Sequence, residues 1–208
     1  MYKRQANGYA PLLHARRELQ SIATLFPEER RRVRTGRDAS ERALKQDELS
    51  HCAILHLATH GHTDAHAPAR SGLLFAPGDP DEDGLLQGVE ILNLDLDADL
   101  VVLSACGSGL GKLVGGEGLV GVTRSFFYAG ARSLVVSLWD VDDASTADLM
   151  RSFYRRLRQG GSAARALREA KQEIVRSDRP AHRFPYYWAS FVLVGQTGPT
   201  FRAGSPAP

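Results

Sequence analysis

Two residues of this 208-residue chain have the types and settings that nucleophilic chemistry needs. Cys106 follows the apolar run Leu100–Ala105 (LVVLSA) and precedes Gly107, while His60 follows Cys52–Thr59 (CAILHLAT) and precedes Gly61. A thiol attacks as its thiolate, so it needs an imidazole nearby, and the oxyanion that forms needs backbone N–H donors. A glycine beside each residue lets a substrate backbone approach closely. If the two runs are adjacent parallel strands, imidazole and thiol face one another at the strand ends. The amides of Gly61 and Cys106 would then point at a scissile carbonyl. On spacing alone a second reading stands beside this one, because free cysteines are commonly small buried hydrophobes.

The elements that must hold these residues follow from hydrophobic patterning. Cys52–Thr59, Leu100–Ala105 and Ser133–Leu138 are short, nearly continuous apolar runs, as expected of strands buried on both faces. Trp188–Val194 is expected to be the last strand, and RRRVRTG a short early one. Helices are expected over His14–Phe26, ended by Pro27, and from an Asp38 cap to Leu49, with Glu41 completing a capping box. Further helices are expected over GGEGLVGVTRSFFYAG, closed by Gly130, then Ala144–Arg158 and Ser162–Arg176. His60–Ser71 reads as a polar loop, followed by the brief apolar stretch GLLFAP and the acidic turn GDPDEDG. Buried strands alternating with helices predict an α/β domain with a mainly parallel sheet. Chemistry in such sheets sits at the carboxyl ends of the strands.

Composition narrows the function. A formal charge of +2, from 26 basic and 24 acidic residues, makes no demand for nucleic acid. The basic runs Arg30–Arg37 and Arg151–Arg158 read as solvated faces. With only Cys52 and Cys106 there is no disulfide framework, which fits a reducing, cytoplasmic setting. The start lacks the apolar core of a signal peptide, and no run approaches the ~20 residues of a membrane helix. One domain over residues 11–195 is expected, with 196–208 a disordered tail, in a piece of a longer protein.

The blocks HLATHGH, LSACGSG, GEGLVGVTRSFFYAGARSLVVSLWDVDD and YYWASFVLVG occur in that order. Together they resemble the CHAT domain, a caspase-like peptidase domain of bacteria and archaea often found at the C-terminus of tetratricopeptide-repeat proteins. The resemblance spans Pro11–Gly195. It implies a three-layer caspase-like α/β sandwich with a mainly parallel central sheet. It also implies a dyad, His60 as base or imidazolium partner and Cys106 as nucleophile. The same blocks are similar to the catalytic domain of separase, in which an acid just after a Trp-Asp-Val run binds a basic P1 side chain. Here that run is Trp139-Asp140-Val141-Asp142-Asp143. Asp143 is the matching position, with Asp140 second, which implies cleavage after Arg or Lys. Asp142 or Asp143 is equally placed to cap the following helix, and both roles stay open for Asp143. Ser104 stands where metacaspases carry an acid, which argues against a metacaspase-type pocket. Glu117 matches a recurrent CHAT position, and an acid in the first turn of a helix suits its dipole.

The expected function is therefore a cysteine endopeptidase that passes through a Cys106 thioester, with no cofactor and no metal. Its partners would be a protein or peptide substrate and a neighbouring sensor or tetratricopeptide-like domain, in a regulatory or defence-type bacterial signalling protein; neither nucleic acid nor membrane is expected. The non-enzymatic alternative is a catalytically silent caspase-like scaffold. The other is a metallo-β-lactamase-like hydrolase, since His60–His66 approximates H-x-H-x-D-H. Ala65 between Asp64 and His66 breaks that signature, leaving His62 and His66 as expected exposed loop residues. The stretch Gly107–Lys112 also fails as a phosphate loop, because Cys106 and Leu113 stand where Gly and Ser or Thr are needed.

Overall fold

A computed structural model describes residues 12, 15–62, 64, 67, 70–76, 81–104, 117–139, 142–198, 200 and 201, with 117–120 and 143 described by backbone alone. The strands are Ile54–Leu57 (β1), His60–His62 (β2), Gly72–Leu74 (β3), Leu85–Gln87 (β4), Leu100–Leu103 (β5), Ser133–Ser137 (β6) and Phe191–Gly195 (β7). The α-helices are Ala15–Ala23 (α1), Glu41–Gln46 (α2), Gly88–Ile91 (α3), Glu117–Tyr128 (α4), Asp143–Arg158 (α5) and Ala163–Val175 (α6).

Among the described residues the strands form two sheets, one in the order β1-β5-β6-β7 and one in the order β2-β3-β4. In the first, β1, β5 and β6 run parallel and β7 closes the edge antiparallel to β6. The second is antiparallel throughout. Side chains alternate across the parallel strands, as the pleat requires. Leu55, Leu57, Val101, Leu103, Leu134 and Val136 join a cluster with Ile91 of α3 and Val122 and Phe126 of α4. Ile54, Leu100, Val102 and Val135 join another with Ile22 of α1, Phe153 of α5 and Leu167 of α6. Burying one such Leu or Phe side chain contributes about 1.5–3 kcal/mol. This explains why β5 and β6 are apolar at every position but the terminal serines of β6.

Several boundaries differ from the patterning. Within RRRVRTG, Arg30 ends one 3₁₀ turn and Gly36 opens another, and Arg31 and Thr35 between them are extended, at φ −132° and −142°, but the segment pairs with no described strand. Arg32 and Arg34 instead reach Asp47, the latter through two hydrogen bonds of 2.9 and 2.6 Å, and Arg34 foremost holds that carboxyl below its usual range. Ser40, not Asp38, caps α2, accepting from the Ala43 amide at 3.2 Å. Asp38 closes a separate 3₁₀ turn that Gly36 permits with φ +62°. Glu41 makes no capping box there, and accepts from the Gly84 amide at 3.0 Å. The loop expected over His60–Ser71 begins with β2, and the region after the acidic turn adds β4 and α3, opened by a Gln87/Glu90 capping box.

Gly130 ends α4 as expected, at φ +116°, and a Cβ there would stand 1.8 Å from the Leu96 carbonyl oxygen. Neither the backbone conformation nor the space admits a side chain. Gly130→Ala should destabilise by about 3 kcal/mol or more. At this chain length that lowers the thermal midpoint by about 6–12 °C, which a calorimetric melt would measure.

Candidate catalytic site

β1 and β5 are in parallel register up to Leu57↔Leu103, and the ladder continues one bond further, Ser104 N–H donating to the Leu57 carbonyl at 2.9 Å. His60 lies three positions after Leu57, and Cys106 three positions after Leu103. Cys106 itself falls outside the described residues, as does Asp140. β6 is parallel to β5, in register Leu103↔Val136, so the chain leaving β6 toward α5 departs from the same edge of the sheet. Asp143 is the first residue of α5.

Two pairings hold His60. Before it stands β1; within it, β2 sets His60 opposite Leu74 and Gly61 opposite Leu73 of β3. The Thr59 hydroxyl donates to the Leu74 carbonyl and ties the short connection down. His60 is 4% exposed and Gly61 is buried. Phe75 N–H donates to Gly84 O across β3 and β4. In an antiparallel ladder amides alternate in direction, so Leu73 turns toward β4 while Gly72 and Leu74 turn toward β2. The partners of Leu74 and Gly72, namely His60 and His62, therefore face β3, and Gly61 turns its N–H away from it. His62 is a half-buried strand residue rather than an exposed loop residue.

The small sheet is anchored by a caged lysine. Lys45 Nζ lies 2.7 Å from carboxylate oxygens of Glu41, Glu82 and Glu90, which joins α2 to the segments flanking β4. Burial pushes the Glu41 carboxyl up to about 7, against the hydrogen bond from Lys45 and with help from Glu90. Burial alone would lower the Lys45 ammonium, but the three carboxylates outweigh it and raise it. A carboxyl raised in the fold favours folding below its unfolded pKa, and that contribution is lost as pH rises through about 7. Lys45→Met removes the cation and leaves the buried Glu41 carboxyl facing the half-buried Glu82 and Glu90. It should cost about 1–3 kcal/mol at pH 8 and less at pH 5, below the raised pKa of Glu41, where that carboxyl is protonated. Thermal melts across that range would show the variant losing more stability with rising pH than the parent.

The turn entering α5 is held by a polar relay. Asp142 caps the helix, its Oδ2 accepting from both the amide and the hydroxyl of Ser145 at 2.9 Å. Ser145 Oγ lies 3.3 Å from Nε2 of buried His182, whose Nδ1 lies 2.6 Å from Ser177 Oγ. With the Ser145 hydroxyl donating to Asp142, its oxygen is left to accept from the Nε2–H of His182. Sequence reasoning missed His182 and Ser145. The expected cap at Asp142 or Asp143 falls on Asp142, while His182 is 37 positions beyond Ser145.

His56 belongs to a different network, at the α1–α5 interface. Its Nδ1 is 2.9 Å from the Tyr154 hydroxyl and its Nε2 is 3.0 Å from Glu18 Oε1, an electrostatic contact without hydrogen-bond alignment. Burial, then the Glu18 charge, holds the Tyr154 phenol well above its ordinary pKa. For the metal reading, Thr63, Ala65 and His66 lie outside the described residues, and Asp64 Oδ1 accepts from the Ala67 amide at 2.9 Å. Among the described residues, the one cluster with three converging ligand atoms is Glu41, Glu82 and Glu90, and Lys45 Nζ already sits among them.

A mainly parallel four-stranded sheet, with a small antiparallel sheet that begins at a buried histidine, marks a mixed α/β protein. The CHAT domain matches residues 3–196, and the chain belongs to that family. It is similar to Tetratricopeptide repeat protein 28 of Mus musculus, 37% identical over 111 residues, and to that of Homo sapiens, 36% identical over 116 residues. Those alignments cover 53% and 56% of this chain but only 4% and 5% of the relatives, so the chain matches a small part of each. Among the described residues, no helix is long and apolar enough to cross a membrane.

Proposed function

We propose that this domain is a cysteine endopeptidase, a three-layer caspase-like fold spanning residues 11–195 in which His60 and Cys106 form the dyad. The observation that carries the reading is the register of β1 and β5: each candidate stands three residues beyond the same Leu57↔Leu103 pair. His60 takes the Cys106 proton, and the thiolate adds to the scissile carbonyl carbon. The amides of Gly61 and Cys106 hold the oxyanion, and the outward turn of the Gly61 N–H supports that role. Collapse breaks the C–N bond, His60 protonates the departing amine, and a thioester remains. Water, deprotonated by His60, then hydrolyses the thioester and restores the thiol.

Asp143 is proposed to receive an Arg or Lys P1 side chain, with Asp140 as the second candidate. Asp142 makes the cap of α5, the task that Asp143 shared with it as a candidate. Its tetratricopeptide-repeat relatives support a neighbouring repeat or sensor domain. The proposed setting is a cytoplasmic regulatory or defence-type bacterial signalling protein, with a protein or peptide as substrate.

The test is labelling with an acyloxymethyl-ketone peptide carrying Arg at P1. The protein should be modified stoichiometrically at Cys106, and Cys106→Ala should take up no label. Failure to label, in the presence of partner domains, would favour the catalytically silent scaffold.

A further inference from the structure

β7 is the outer strand of the four-stranded sheet, with β6 on one side and no described strand on the other. Leu138 N–H donates to Ser190 O, and Gln196 N–H donates to Arg132 O. The alternation of an antiparallel ladder therefore turns the amides and carbonyls of Phe191 and Leu193 toward the open edge. Such an edge is a template for another strand unless something blocks it. Beside it runs a groove of about 720 Å³ between α6 and β7, walled by Leu167, Val175, Trp188 and Leu193. The indole N–H of Trp188 is buried and has no acceptor among the described residues.

Charge says what fits this groove. Arg168, Lys171 and Arg176 line it, and among the described residues none of the three has a carboxylate partner. Three neighbouring cations of α5 and α6 are matched instead: Arg155 and Arg156 with Glu173, and Arg165 with Glu169. Burial depresses the Lys171 ammonium, with no anion to offset it. A second copy would bring the same three cations to the same edge, so like charges oppose an isologous pairing. The chain's own segments 1–14, 105–116 and 202–208 contain no Asp or Glu. These three segments therefore supply no acidic strand for the groove.

We propose that the α6–β7 groove docks an acidic, extended segment of another polypeptide, which adds as a strand to β7 and sets its carboxylates against Arg168, Lys171 and Arg176. Main-chain hydrogen bonds to Phe191 and Leu193 would supply affinity, and alternate side chains would supply selectivity. This edge lies on the far side of β6 from β5 and β1, and the readout is binding rather than turnover, so the inference does not depend on catalysis.

The experiment is fluorescence anisotropy with a fluorescein-labelled nonapeptide alternating glutamate and valine. Saturable binding is expected, weakening as NaCl rises from about 0.05 to about 0.5 M. The peptide with lysine for glutamate should not bind, nor should one N-methylated at every second amide. Arg168→Glu with Lys171→Glu should weaken binding about tenfold or more. Arg168→Glu alone, at an exposed position, serves if the double variant melts early. Equal binding of the lysine or N-methylated peptide, or indifference to both substitutions, would overturn the proposal. So would dimerisation of the protein through β7 in sedimentation equilibrium.

Discussion

His60→Ala is expected to lower kcat/KM for an Arg-P1 peptide about 10²–10⁴-fold at pH 7, and Cys106→Ala to abolish turnover. The two losses differ in kind. Without its imidazole a cysteine keeps a few per cent of thiolate at pH 7, so a slow reaction survives. That residual rate should climb with pH toward the thiol's own pKa of about 8.5, whereas the parent reaches its plateau lower. Without sulfur there is no nucleophile at any pH. Rate–pH profiles of the three proteins, with label uptake as a second readout, check both statements. An unchanged rate in His60→Ala would remove the dyad.

The second large effect concerns the basic P1 side chain. Asp143→Ala should reduce kcat/KM for Arg-P1 peptides by about 2–4 kcal/mol, roughly 30–1000-fold, because truncating one partner of a desolvated charge pair strands the other. Cleavage after an apolar P1 residue should change far less, so the variant loses preference rather than chemistry. Asp142→Ala supplies the contrast, since Asp142 holds the α5 amide and hydroxyl of Ser145. Losing that cap should cost about 1 kcal/mol of stability and leave the ratio of Arg to apolar cleavage nearly intact. If Asp140→Ala abolishes the Arg preference while Asp143→Ala does not, the pocket belongs to Asp140.

The anchoring of the strand that begins at His60 bears on both proposed effects. Lys45 and its three carboxylates hold the segments around β4, β4 pairs with β3, and β3 pairs with the strand that begins at His60. A loosened clasp is therefore expected to disturb the imidazole before it disturbs the main sheet, whose β5 and β6 are packed on both faces.

What the sequence determined by itself was the set of strongly apolar or strongly periodic elements. β1, β5 and β6 were legible as apolar runs, and α5 and α6 as amphipathic helices separated by Gly160 and Gly161, because burial and helix period leave their mark on neighbouring residues. The family was legible too, from ordered blocks that span most of the chain. Tertiary structure alone decided the rest. β2 and β4 are three residues each, too short to carry a period, and exist only because β3 pairs with both. RRRVRTG has strand-like alternation but no edge to join, so its arginines close on Asp47. Ser40 rather than Asp38 caps α2, and Asp142 caps α5, because a cap must stand immediately before the first helical residue, and the turn before it sets where that residue falls. The contacts of Lys45 with Glu82 and of Ser145 with His182 span 37 positions each. Local sequence patterns carry no trace of such pairs, since chain topology, not local preference, brings them together.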